Sequence, residues 1–127
     1  MIVADTNLIL ALAINSDKAE VARAVFKKDS EWHAPPIWES EFRNAALKLI
    51  QANQMNQATA VAAFAFARGT VQTVEVSTPA VLRIAQAYHL TAYDAEFVAL
   101  AEWLDCRAVS FDQDLLGTGL VTRPQDF

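Results

Sequence analysis

Short β-prone runs alternate with stretches of helical spacing along the whole chain, and this alternation restricts the fold more than any other feature. Met1 to Ala4 is an apolar run that stops at Asp5, and Asn7 to Ile14 continues with helix formers. Asp17 is placed to cap a helix to about Lys28, with Ala22, Val25 and Phe26 as its apolar stripe. Trp32 to Ala34 reads as a second strand. Pro35 and Pro36 then open a helix from Ile37 to about Ala52, in which Trp38, Phe42, Ala45 and Leu49 recur at helical spacing. Ala58 to Arg68 is helical by propensity and predicted to end at Gly69, and Val71 to Val76 reads as a strand. Thr78 and Pro79 resemble an N-cap and first helical position of a helix to about Tyr88. A further helix spans about Ala92 to Leu104, and Arg107 to Ser110 is a strand ending just before Asp112. Strands alternating with helices predict a three-layer α/β/α sandwich with a mainly parallel central sheet. The ligand crevice of such a sheet lies beyond the carboxyl ends of its strands.

The chain has 127 residues, and neither a repeat nor a Ser/Gly/Pro-rich linker divides it, so one domain over residues 1–127 is expected. A chain of this size buries about two-thirds of its unfolded surface, enough for a core without disulfides. The single Cys106 agrees: it has no internal partner, fits a reducing compartment, and reads as a small buried apolar residue. The longest apolar run, Ala60 to Ala67, falls short of the roughly 20 residues of a membrane helix. Met1 to Ile14 lacks the basic start of a signal peptide and carries Asp5, so a soluble cytoplasmic protein is expected. The net charge of −5 argues by itself against nucleic acid, whose phosphates are bound by clustered Lys and Arg.

Four carboxylates bear on that objection. Asp5 and Asp112 each follow a strand and should project at the carboxyl edge of the sheet, either as turn and cap residues or as ligands. Asp94 heads the helical stripe of Phe97, Val98, Ala101 and Leu104. Its first-turn position suits the helix dipole, but that does not explain the stripe, because a carboxylate facing inward must be paired, neutralised or metal-bound. Glu41 borders the face of Trp38, Ala45 and Leu49, whereas Glu39 points elsewhere as a solvated charge; an inward role and a surface role for Glu41 are both open. No basic residue is near enough in sequence to pair with these acids. Carboxylates gathered in one crevice repel unless a cation joins them, and hard oxygen ligands suit Mg²⁺ or Mn²⁺. The four acids supply four of the five net negative charges, leaving −1 for the rest of the molecule.

Asp5-Thr6-Asn7 after the first strand, Trp38 to Leu47, Thr91-Ala92-Tyr93-Asp94-Ala95 running into Leu100-Ala101, and Ser110 to Leu115 together resemble the PIN-domain family, especially the VapC-type toxins of bacterial toxin–antitoxin systems. Each motif is weak alone; four in order on the expected elements are specific, and they span nearly the whole chain. The resemblance implies a metal-dependent endoribonuclease whose acids, falling on Asp5, Glu41, Asp94 and Asp112, hold Mg²⁺ or Mn²⁺ and hydrolyse an RNA phosphodiester to leave a 5′-phosphate. Asp114 is an additional acid by the same comparison, and Thr6 and Ser110 are hydroxyl partners for the carboxylates. The family more often has Thr at the position of Ser110; the hydroxyl is kept. Asn7 either hydrogen-bonds a carboxylate or caps the helix that follows. The resemblance also implies a cognate antitoxin and a homodimer.

His33 and His89 lack metal-ligand spacing, and His89 is placed as a favourable charge at a helix C-terminus. Phe64 and Phe66 point about 200° apart on one helix, so that helix is apolar on both sides and either is doubly buried or has a face covered by a partner. In the resembling family this region helps form the dimer and the antitoxin groove. Arg43, Arg68, Arg83, Arg107 and Arg123 are scattered along the sequence, and spacing does not select which meet phosphates. Among competing readings, a phosphoryl-accepting receiver domain normally needs a late Lys, and none follows Lys48. A haloacid-dehalogenase-like phosphatase would have Asp where Asn7 stands, and a dinucleotide-binding domain lacks its G-x-G-x-x-G. A catalytically silent interaction module of the same fold is disfavoured by the retention of all four acids.

Overall fold

The computed structural model describes residues 1–127. A five-stranded parallel sheet is built from β1 (Ile2–Ala4), β2 (Trp32–Ala34), β3 (Val71–Thr73), β4 (Arg107–Val109) and β5 (Val121–Thr122), in the order β3-β2-β1-β4-β5. Between them run α1 (Thr6–Ala13), α2 (Ala19–Lys28), α3 (Ile37–Gln51), α4 (Gln57–Thr70), α5 (Thr78–Tyr88), α6 (Ala92–Leu104) and α7 (Gln113–Leu116). Helices α1 to α4 pack on one another, α5 packs on α6, and α6 lies against β1 and β4, which gives the three expected layers. Strands β1 and β2 are buried throughout, as near-continuous apolar strands covered on both faces must be. The core joins Ile2, Val3 and Trp32 of the sheet to Leu8, Trp38, Phe42, Phe97 and Leu100 of the helices. No helix is long and apolar enough to cross a membrane.

Several element boundaries differ from the sequence reading, each for a local reason. Asp17 does not cap α2, because Ser16 to Ala19 form a turn closed by Ala19 N–H donating to Ser16 C=O (3.2 Å). Helix α4 runs through Gly69 to Thr70, whose hydroxyl bonds back to Phe66 C=O (2.9 Å), and passes straight into β3. Strand β3 ends at Thr73, since its partner β2 gives way to Pro35 after one more bond from Val74 N–H to Ala34 C=O. The cap of α5 is Ser77, which moves Pro79 to the second helical position, where its missing N–H is also no loss. His89 is the left-handed C-cap of α5 (φ 55°). Strand β4 stops at Val109, although Ser110 N–H still donates to Thr122 C=O (3.1 Å).

The strand order places the switch point between β1 and β4. From β1 the chain crosses to β2 and β3 on one side, and β4 and β5 lie on the other. The carboxyl ends of β1 and β4 therefore diverge into loops going opposite ways, and the crevice between them is the place where such sheets bind ligands.

Candidate active site

Asp5 leaves β1 into this crevice and is the N-cap of α1. Its backbone N–H still donates to Val109 C=O (3.1 Å), which ties β1 to β4 at the edge. Its side chain is buried (9 % exposed) and accepts from Thr6 N–H at 2.7 Å on Oδ1 and from Ser110 Oγ at 2.5 Å on Oδ2. Ser110 is buried as well, and its Oγ accepts from Asn7 Nδ2 (3.2 Å) and from Asp112 N–H (2.9 Å). Asn7 Oδ1 closes the loop by accepting from Phe111 N–H (3.2 Å). Asn7 thus holds the β4 loop against α1; the capping role belongs to Asp5.

Glu41 reaches the same crevice from the second turn of α3. The inward alternative holds: the side chain is partly buried, and Thr6 Oγ1 donates to its Oε1 at 2.7 Å. One residue, Thr6, therefore contacts two of the acids, Asp5 through its backbone N–H and Glu41 through its hydroxyl. Glu39, expected to be a free surface charge, instead lies between Arg43 (3.6 Å) and Arg68 (3.7 Å). Asp94 stands in the first turn of α6, where Thr91 caps the helix by accepting Asp94 N–H (3.1 Å), and its side chain is partly buried. Asp112 is the N-cap of α7, its Oδ1 accepting from Asp114 N–H (2.8 Å) and Leu115 N–H (3.4 Å). Asp112 is therefore both a cap and a crevice residue, and Asp114 lies on the exposed side of that turn.

The electrostatics show that the acids act on one another. Burial pushes the Asp5 carboxyl up to about 6, against the hydrogen bonds from Ser110 and Thr6 and with added repulsion from Glu41 and Asp94. Glu41 is raised by burial and then by Asp94 and Asp112, with Thr6 opposing. Asp94 is raised by burial and then by Asp112 and Asp114. None of the four acids takes part in an ion pair; every such pair in the molecule lies elsewhere. Hard, uncompensated oxygen donors at a shared crevice fit a divalent cation by their chemistry. They do not form a closed cage, since no group of three or more Asp, Glu, His or Cys side chains converges tightly enough to hold an ion. Like charges spread in this way unless a cation draws them in.

Sequence reasoning passed over two nearby residues. Glu96 of α6 has its pKa raised by burial and by Glu41 and Glu75, and its Oε2 is buried without a hydrogen-bond partner. Lys18 places its ammonium 4.9 Å from the ring centre of Phe111, between Ser110 and Asp112 in sequence. Glu96 stands two residues from Asp94, which was a usable signal; the turn that brings Lys18 to the β4 loop left none. His33, by contrast, is buried in β2 with Nδ1 unpartnered. Cys106 is only partly buried at the edge of the core.

Residues 2–119 match the model of the PIN domain family. Over 125 residues the chain is 31 % identical to a VapC ribonuclease of Mycobacterium bovis, covering 98 % of this chain and 95 % of that protein. The fold is shared with PAE2754 of Pyrobaculum aerophilum (TM-score 0.79, 22 % identity, 98 % of this chain and 90 % of that one). It is shared also with a chain of a toxin–antitoxin complex from Klebsiella pneumoniae (TM-score 0.71, 17 % identity, all of both chains). With four acids at the switch point of a parallel sheet and a family match over nearly its full length, this chain belongs to the PIN-domain family and, within it, to the VapC ribonucleases.

Proposed function

We propose that this protein is a Mg²⁺- or Mn²⁺-dependent endoribonuclease and the toxin of a type II toxin–antitoxin pair, acting in the cytoplasm. The observation that carries this reading is the set Asp5, Glu41, Asp94 and Asp112 at the carboxyl edge of β1 and β4, without a single cationic partner and with three of the four pKa values raised. Asp5, Asp94 and Asp112 would hold the ion, with Glu41 beside them. A bound divalent ion supplies Lewis acidity: it lowers the pKa of water and offsets charge developing on the phosphoryl group.

The protein's own groups supply position and proton handling. Ser110 and Thr6 fix both oxygens of Asp5. Thr6 also engages Oε1 of Glu41, leaving Oε2 to take a proton from water. Burial favours that step by raising the proton affinity of Glu41 toward the working pH. In hydrolysis a water oxygen bonds to phosphorus, the P–O3′ bond breaks, and the proton count closes on the departing 3′ oxygen, giving a 5′-phosphate and a 3′-hydroxyl.

The apolar groove between α3 and α4, about 320 Å³, supports the antitoxin and homodimer assignments. Phe64 packs between Trp38 (5.7 Å) and Phe42 (5.5 Å), whereas Leu47 and Val61, which also line the groove, are 49 % and 61 % exposed. Such a surface is stabilised by a partner that covers it. The test incubates purified protein and its Asp5→Asn and Asp94→Asn variants with a mixed RNA pool in Mn²⁺, Mg²⁺ or chelator, and maps the ends produced. Cleavage by the native protein alone, only with metal, is expected; equal cleavage by all three proteins refutes the site. No cleavage by any would favour the silent interaction module.

A further inference from the structure

A second cleft begins at the wall of the acid site and runs away from it between α1 and α3. Its volume is about 500 Å³, within the range of ligand-sized sites. Asn7, which holds the β4 loop, lines one end, and Leu10, Ile14 and Leu49 provide apolar walls. Lys18, Lys48 and Gln54 line it too, as does Asp17.

Four of the arginines are paired, whereas the two lysines of this cleft, like Arg23, Lys27 and Arg107, are in no ion pair; what sets Lys18 and Lys48 apart is that both line the same cleft beside the acids. Arg43 and Arg68 are engaged by Glu39, Arg83 by Glu102 and Arg123 by Asp126. Lys18 and Lys48 are exposed and have no carboxylate within ion-pair distance, Asp17 included. Lys18 lies against Phe111 beside the β4 loop. Lys48 follows Glu41 by seven residues on α3 and so falls on nearly the same helix face, about 10 Å further along at 1.5 Å per residue. Two unneutralised ammonium groups thus stand beyond the acids along one channel whose walls are apolar. Phosphates spaced along a strand match the first feature, and an unpaired base or ribose matches the second.

We propose that this cleft carries the single-stranded RNA flanking the cut, with Lys18 and Lys48 on its phosphates and a base or ribose against Leu10, Ile14 and Leu49. The assignment rests on the ribonuclease reading and names the path of its substrate. It also bears on how a chain of net charge −5 takes up a polyanion: along the path the two lysines outnumber the one carboxylate, Asp17, that lines it.

The test measures the anisotropy of a labelled single-stranded RNA of about 12 nucleotides on protein carrying Asp94→Asn, with and without Lys18→Gln and Lys48→Gln, across a salt series. Each phosphate contact in a single strand contributes about 0.7 to the slope of log affinity against log salt. The double variant should therefore lose about 1.4 of slope and bind roughly tenfold or more weakly at low salt. Lys27→Gln, which removes the same charge from the exposed end of α2, should leave the slope as it was. In an otherwise native background, Lys18→Gln and Lys48→Gln should raise KM for RNA more than they lower kcat. Unchanged slope and affinity, a loss equalled by Lys27→Gln, or a loss of antitoxin binding in place of RNA binding would overturn the proposal. Native protein that cleaves no RNA, while the Asp94→Asn form binds through the two lysines, would fail the nuclease reading and leave the cleft assignment standing. Cleavage that is indifferent to both lysines would do the reverse.

Discussion

Replacing Asp5 by Asn should abolish RNA cleavage and, at neutral pH, make the folded protein more stable. The folded state holds the Asp5 carboxyl at a pKa of about 6, against 3.8 for the ordinary side chain. At 1.36 kcal/mol per pH unit, ionising this buried group costs the fold about 3 kcal/mol. The folded protein binds the proton more tightly than the unfolded chain does, so the penalty is absent below about pH 4. It grows as pH rises and is complete above about pH 6. Asparagine does not ionise and keeps an oxygen for Thr6 N–H, but it loses the bond from Ser110 Oγ, about 1 kcal/mol for a neutral pair, the extra strength of that bond to the charged form being already contained in the pKa. The net gain is about 2 kcal/mol at pH 7.5, or roughly 6–10 °C in Tm for a chain of this length. Urea and thermal unfolding in chelator between pH 4.5 and 8 would measure it. The gap between variant and native protein should shrink toward zero, or change sign, as pH falls to 4.5. A variant no more stable than the native protein at pH 7.5, or a gap that does not depend on pH, would refute the argument that burial and neighbouring acids hold Asp5 in an unfavourable state.

Four further outcomes follow from the same contacts. Mn²⁺ at about a hundredfold its Kd should stabilise the native protein by about 2.7 kcal/mol and the Asp5→Asn variant by much less, and chelator should erase the difference in a thermal-shift assay. Thr6→Val removes the hydroxyl that holds Glu41 down, so the acidic limb of the pH–activity profile should move to higher pH; an unmoved limb with lowered kcat would mean that Thr6 only packs. Ser110→Ala strips the acceptor from Asn7 Nδ2 and Asp112 N–H in a buried loop and should cost about 1–3 kcal/mol in urea unfolding, with Ser110→Thr restoring most of it. Val61→Glu, exposed in the groove between α3 and α4, should change monomer stability by less than about 0.5 kcal/mol while preventing antitoxin capture on co-expression.

What could be read in advance divides by the length scale of the signal. Ala92–Leu104 and Trp32–Ala34 were legible, since a long apolar stripe headed by Asp94, and a tryptophan-bearing run stopped by two prolines, each carry their own approximate boundaries; the Thr91 cap that fixes the start of the helix was seen only in the structure. Strand β5 and helix α7 were not, because two residues and four residues are too few to display a period. The acids at strand ends could be placed at the crevice, as the topology of a parallel sheet fixes which edge they occupy. Their detailed roles were not legible. That Asn7 binds the β4 loop depends on a residue more than a hundred positions away, and that Glu41 faces inward is decided by the Thr6 hydroxyl on another helix. Gly69 shows the converse error: a residue suited to a helix end was read as one, although the chain needed no left-handed turn where α4 passes directly into β3.

The same accounting explains why the site is built on so rigid a frame. Asp5 and Asp94, whose ionised forms are disfavoured, are held near Asp112, and each of the three is fixed at an element terminus or beside one: Asp5 and Asp112 as caps, Asp94 in the turn capped by Thr91. No ion pair reaches the acids; the N–H groups at those helix starts and the Ser110 and Thr6 hydroxyls compensate only in part, as the raised pKa values of Asp5 and Asp94 show. Had an Arg or Lys completed the compensation, the fold would gain stability and the proposed cation would have less charge to offset. Under the proposed metal dependence, the cost carried by Asp5 would be the source of the site's affinity for a divalent ion, and a substitution that relieves one should remove the other in proportion.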